Sequence, residues 1–129
     1  MKAIVCVDDR MGMAFNGRRQ SQDAALRTFL LEFVGDGPLW MNPYSARQFG
    51  PLPANCRVAE DFAARAGVGA WCFFEQAPPR DMEAVLLLRW NRKYPGDVFF
   101  ALPEGWKIVK YGEFPGNSHE RITWEVYEP

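Results

Sequence analysis

Three unbroken apolar runs constrain this chain more than any other feature. Ala3-Ile-Val-Cys-Val7, Ala70-Trp-Cys-Phe-Phe74 and Ala84-Val-Leu-Leu-Leu88 carry β-branched, aromatic and aliphatic residues without polar alternation. A strand with one wet face alternates apolar and polar residues. An unbroken run belongs to a strand covered on both faces, as in a parallel sheet flanked by helices. Between these runs the period changes. Ala25, Leu26, Phe29, Leu30, Phe33 and Val34 recur at three- and four-residue spacing, which predicts an amphipathic helix with Ser21 as N-cap and Gly35 as its stop.

The remaining elements follow from local signals. Asn16-Gly17 marks a turn inside a loop over residues 10–22. Pro38–Met41 reads as a strand, Tyr44–Phe49 as a short helix and Gly50-Pro-Leu-Pro53 as a rigid connection. Asn42 suits an N-cap there, and Pro43 suits a first helical turn. Ala59–Ala66 predicts two helical turns ended by Gly67 and Gly69, and Pro78-Pro79 keeps residues 76–81 out of a helix. Strands are expected over 98–102, 106–109 and 121–127, the last alternating Ile122, Trp124 and Val126 with polar residues. The expected architecture is one α/β domain over residues 1–129, with a mixed, mainly parallel sheet and an antiparallel C-terminal hairpin.

Charge and composition remove several functions. With 15 basic and 16 acidic residues the net charge is −1, so the chain lacks the basic excess of a nucleic-acid binder. Arg18-Arg19 and Arg89-Trp-Asn-Arg-Lys93 are its local basic segments. Cys6, Cys56 and Cys72 have no CxxC spacing, and two of them sit in apolar runs as small core residues. No segment has the apolar length of a membrane span or a signal peptide, so a cytoplasmic location is expected. His119 is the one histidine, placed by the sequence in a solvated loop before the last strand, and it rules out a histidine-rich zinc cluster.

Several strings, in the same order, resemble dihydrofolate reductase. Ala3-Ile-Val-Cys-Val-Asp8 and Arg10-Met-Gly-Met13 are similar to that family's first strand and mobile loop. Pro38-Leu-Trp-Met41 resembles the strand before its Met-Gly-Arg-x-Thr turn, and Phe49-Gly-Pro-Leu-Pro53 the Gly-Arg-Pro-Leu-Pro after it. Gly96-Asp97 with Phe99-Phe100, Glu104-Gly-Trp106 and Asn117-Ser-His119 resemble its late strand and closing hairpin. The resemblance implies the three-layer dihydrofolate-reductase-like fold. It also implies a catalytic acid at Asp23, held in an apolar pocket with a raised pKa as a proton relay. The ligand cleft it implies draws on Ala3, Met13, Arg18, Arg19, Ser45, Leu52, Arg57 and Phe74, with the two arginines as anion ligands and Arg57 standing in for the folate-tail arginine.

The cofactor side departs from that pattern. Where the family has Gly and then Arg or Lys at the turn after the second strand, this chain has Asn42 and Pro43, and only Ser45 keeps a hydroxyl. Where the family has Gly-Gly after the third strand, this chain has Glu75-Gln76, and a carboxylate there repels a pyrophosphate. Three readings stay open on the sequence alone. The first is a reductase-like protein without the usual NADPH site, binding a small ligand beside Asp23 and needing no cofactor. The second is an atypical NADPH-dependent folate or pterin reductase. The third is a non-catalytic interaction module whose exposed aromatic residues meet a partner chain or a second copy.

Overall fold

The computed structural model describes all residues 1–129. In chain order its elements are β1 (Lys2–Val7), β2 (Gly12–Phe15), β3 (Arg18–Arg19), α1 (Ala24–Val34), β4 (Leu39–Met41), α2 (Pro43–Ala46), β5 (Cys56–Val58), α3 (Phe62–Arg65), β6 (Trp71–Phe74), β7 (Val85–Arg89), β8 (Val98–Phe99), β9 (Lys107–Phe114) and β10 (Ile122–Glu128). A single 3-10 turn over Arg47–Phe49 extends α2.

Seven strands form one sheet in the order β5-β4-β6-β1-β7-β10-β9, and β3-β2-β8 form a small second sheet. β4, β5, β6, β1 and β7 are parallel, while β10 runs antiparallel to both β7 and β9. The unbroken apolar runs occupy β1, β6 and β7 in the middle of the sheet, where both faces are covered. Ile4, Phe73, Leu86 and Leu88 pack beneath Leu26 and Leu30 of α1. Ala3, Val5, Val7, Cys72, Phe74 and Leu87 pack on the opposite face against Phe62 of α3, Met82 and Phe100. The result is three layers.

The structure corrects several sequence expectations, among them the strand over 98–102, which shortens to Val98–Phe99. Asp23, not Ser21, caps α1: its backbone is extended and its carboxylate accepts from the N–H groups of Ala25 (2.8 Å) and Leu26 (3.3 Å). The loop over 10–22 contains a hairpin, because Asn16 and Gly17 both take positive φ (53° and 74°) and turn β2 back on β3. The segment 59–66 yields only one helical turn, with no side-chain cap at its start. β9 is twice its expected length. Gly112 obscures it in the sequence, yet that glycine is required there, since a Cβ would lie 2.7 Å from the Trp124 ring.

β9 forms a sheet edge, with Ile108, Val109 and Tyr111 exposed. Its register slips between Val126 and Tyr127, leaving Val109 as a bulge, and Lys107 and Lys110 line it; these features oppose pairing with another strand. No helix is long and apolar enough to cross a membrane.

Candidate functional site

In an open parallel sheet, ligands gather outside the carboxyl ends of the strands where the chain's direction of winding reverses. Here that point lies between β1 and β6. The chain leaves β1 through α1 on one face, and it arrives at β6 from α3 on the other. Strand alternation sends Phe73 to the α1 face and Phe74 to the opposite face. Glu75, next in line, therefore turns toward α2.

There Glu75 meets Arg19. The Arg19 guanidinium donates through Nε to Oε2 at 2.7 Å and through a terminal nitrogen to Oε1 at 3.1 Å, a two-pronged ion pair. Gln48 Nε2 donates to the same carboxylate at 3.1 Å. Arg19 is held from α2 as well: it lies 4.3 Å from the Tyr44 ring centre, donates to the Tyr44 carbonyl at 3.2 Å, and its backbone N–H donates to the Tyr44 hydroxyl at 3.1 Å. These side chains fill the crevice. What remains, bounded by Cys6, Met13, Gln20, Ser21, Phe74, Trp90 and the ion pair, is a cavity of about 10 Å³. That is room for one water molecule. The Gln20 Oε1 atom is buried without a partner and belongs to a residue of that wall. Burial, reinforced by the Glu75 charge, raises the Cys6 thiol well above its ordinary pKa and leaves it a poor nucleophile.

A second polar centre lies beside the first. Asp23 accepts from the backbone N–H groups of Asn117 (2.9 Å), Ser118 (2.8 Å) and His119 (3.2 Å), and from His119 Nδ1 at 2.9 Å. Burial alone would raise its pKa. The N–H of Asn117, the imidazole, and the N–H groups of Ser118 and Ala25 together outweigh burial and hold the carboxyl well below the ordinary range. This is opposite to the raised value that a proton relay needs. With Nδ1–H bonded to Asp23, His119 Nε2 is left with one lone pair, and the Tyr94 hydroxyl (2.9 Å) and Ser21 Oγ (3.0 Å) both lie within hydrogen-bond distance of it. The series Asp23–His119–Ser21 has the hydrogen-bond order of a hydrolytic triad. The cavity at Ser21 admits no carbonyl substrate, however, and Asp23 has no spare acceptor capacity. The series works as a latch that ties the 116–119 loop to the start of α1.

Asp8 forms a third buried centre and holds the other end of the 19–21 segment. It accepts from the N–H groups of Gly12 (2.8 Å), Arg10 (2.9 Å) and Tyr94 (3.0 Å), and from Gln20 Nε2 at 3.4 Å. Burial pushes its pKa up, and the three backbone donors reverse this and lower it. Arg19, Gln20 and Ser21 thus reach three different anchors: Glu75, Asp8 and His119.

Of the residues expected in a ligand cleft, the structure brings together Met13, Arg19 and Phe74. Ala3 is buried in the centre of the sheet. Arg18 is exposed and borders a shallow hollow with Phe15, Asn16, Tyr94 and Pro95. Ser45 is buried in α2 with an unpartnered hydroxyl. Leu52 is half-buried in the loop before β5. Arg57, on the sheet edge, donates to the carbonyl of Ala54 at 2.7 Å and faces no cleft.

His119 is only 3% exposed, correcting its expected place in a solvated loop; it stacks on Trp90 at 4.6 Å. The Arg89–Lys93 segment is not a single basic patch. Arg89 pairs with Glu125 at 3.0 Å and Trp90 is buried, while Arg92 lines an open polar hollow of about 420 Å³ with Asn91, Glu120 and Arg121. No local pattern signals that Tyr44, Gln48 and Glu75 share one network.

One further hollow, about 460 Å³, lies between residues 77–82 and 99–103 and is mostly apolar. It lies where Pro78 and Pro79 keep the chain after β6 out of a helix.

The dinucleotide that the reductase resemblance implies does not fit these residues. A diphosphate at the ends of β4 and β6 meets the Glu75 carboxylate, already paired with Arg19, and the start of α2 offers Pro43, which has no N–H. No family model matches the sequence, and no curated protein matches it. Among solved structures, dihydrofolate reductase from Enterococcus faecalis, complexed with NADP(H) and RAB-propyl, superposes with a TM-score of 0.67 at 14% identity, covering 98% of this chain and 94% of that one. The chain has the dihydrofolate reductase fold.

Proposed function

We propose that this protein uses the dihydrofolate reductase fold to bind a small ligand, without NADPH-dependent reduction. One observation carries the non-reductase part of this reading: the Arg19–Glu75 ion pair, braced by Tyr44 and Gln48, occupies the crevice at the ends of β1 and β6, so a small ligand has to be met elsewhere on the fold. The elbow after β4 survives as Asn42, whose side chain accepts from the Ser45 N–H at 2.8 Å, followed by Pro43 and Tyr44. Its work has changed. Tyr44 now holds an arginine of the same chain where the reductase pattern calls for phosphate ligands.

Asp23 is committed to the N-terminus of α1 and the 117–119 backbone, so the ligand is not held by its carboxylate. The interaction-module reading draws on the exposed β9 edge, where the bulge and two lysines weigh against strand pairing. The experiment is a turnover assay with NADPH and dihydrofolate at neutral pH, following loss of NADPH absorbance. No enzyme-dependent oxidation is expected. Turnover that scales with protein concentration and disappears in Asp23→Asn overturns the reading.

A further inference from the structure

The hollow between residues 77–82 and 99–103 has the size of a ligand pocket, at about 460 Å³. Its walls are the side chains of Pro78, Pro79, Met82, Phe99, Leu102 and Pro103, among others. Met82 and Phe100 belong to the core beneath α3, so the floor is continuous with packed interior. The prolines fix their backbone φ, which makes the walls stiff, and they offer no N–H donors. Phe99 is 53% exposed and borders the hollow, with one ring edge toward Gly96.

One charged side chain lines the hollow, Arg80, and it forms no ion pair with any carboxylate of the chain. The nearby acidic residues Asp81 and Glu104 are not among the walls. A stiff apolar slot with one free guanidinium at its side selects a ligand with a flat apolar body and one anionic group. The volume limits it to a small molecule, since a docking helix or strand needs a longer groove.

We propose that this hollow is the ligand site, and that it takes a small aromatic carboxylate or sulfonate, with its ring against Phe99 and the prolines and its anion on Arg80. The proposal rests on the small-ligand reading above and gives that reading a location. The probe is 8-anilinonaphthalene-1-sulfonate, titrated into the native protein, with its neutral analogue N-phenyl-1-naphthylamine in parallel.

The expected result is saturable fluorescence enhancement at one site per chain. Arg80→Glu should weaken it by about tenfold or more, the scale of one charge-assisted contact. Ala101→Trp should abolish it by filling the slot from an exposed position that leaves the core intact. Cooperative thermal unfolding of both variants checks their fold. Absence of saturable enhancement, or enhancement unchanged in both variants, overturns the site. Equal affinity for the neutral analogue overturns the anion class. None of these outcomes bears on NADPH, so a failure here leaves the closed-crevice reading standing, and NADPH turnover would sink that reading separately.

Discussion

Arg19 and Glu75 form a two-pronged ion pair, at 2.7 and 3.1 Å, between residues 56 apart in sequence. The pair is mostly shielded, with side chains 20% and 9% exposed. Glu75→Gln keeps the shape and removes the charge, leaving the guanidinium uncompensated beside Tyr44. It should cost about 1–3 kcal/mol in urea unfolding. Replacing both partners together, Arg19→Met with Glu75→Leu, should cost less than the sum of the single changes, and the cycle should return a coupling of at least about 1 kcal/mol. Additive costs would mean that the pair does not hold the crevice shut.

Asp23 supplies a pH signature. Its folded pKa lies below the ordinary carboxylate value, so its stabilisation is complete above about pH 4–5 and fades as the pH falls through the ordinary value toward the folded one. Asp8 has the same sign. Unfolding free energy should therefore decline on acidification below about pH 4. Asp23→Asn should flatten that decline while lowering stability at pH 7 by about 2 kcal/mol or more: the amide oxygen can still cap α1, but the charge and the second acceptor oxygen that hold Asn117, Ser118 and His119 are lost. An acid limb of unchanged slope in the variant would contradict this assignment.

Gly116 permits the latch to close. A Cβ there would collide with the carbonyl oxygen of His119 and come within 3.0 Å of the Asp23 carboxylate. Gly116→Ala should lower the thermal midpoint, at a cost of about 1–3 kcal/mol. Gly67→Ala, where a Cβ meets nothing, should change little. Comparing the two melts separates the latch from a general effect of losing a glycine.

The thiols should report on burial. Burial pushes the Cys72 thiol up to about 11 and raises Cys6 well beyond its ordinary value, whereas half-buried Cys56 lies on the edge strand β5. An aromatic disulfide reagent at neutral pH should modify Cys56 first, half-buried Cys6 more slowly because its thiol stays protonated, and Cys72 only when the protein unfolds. Rapid labelling of Cys6 in the native protein would show that the crevice opens readily.

The sheet was legible because its central strands are unbroken apolar runs, a pattern that survives without knowledge of neighbours. α1 was legible from its periodicity, and the Asn42-Pro43 start of α2 from capping chemistry. The site was legible only in part, because its contacts are long-range. Glu75 could be recognised as hostile to a pyrophosphate, but its partner lies in a hairpin that a two-residue strand conceals. Asp23 stands two residues after Ser21, the cap the sequence suggests, and takes the cap's place. Its role was not readable, since that depends on backbone donors 94 to 96 residues away. His119 was misplaced for the same reason: polarity suggested solvent, and only the fold brings Asp23, Ser21, Tyr94 and Trp90 around it.

The most direct measurement of the central claim is a calorimetric titration of the native protein with NADPH at neutral pH and low salt. A crevice filled by Arg19, Glu75, Tyr44 and Gln48 predicts no saturable heat up to about 1 mM, the weak end of specific affinity. Saturable binding in the micromolar range at one site per chain would contradict it, because the ion pair would then have to part for a dinucleotide.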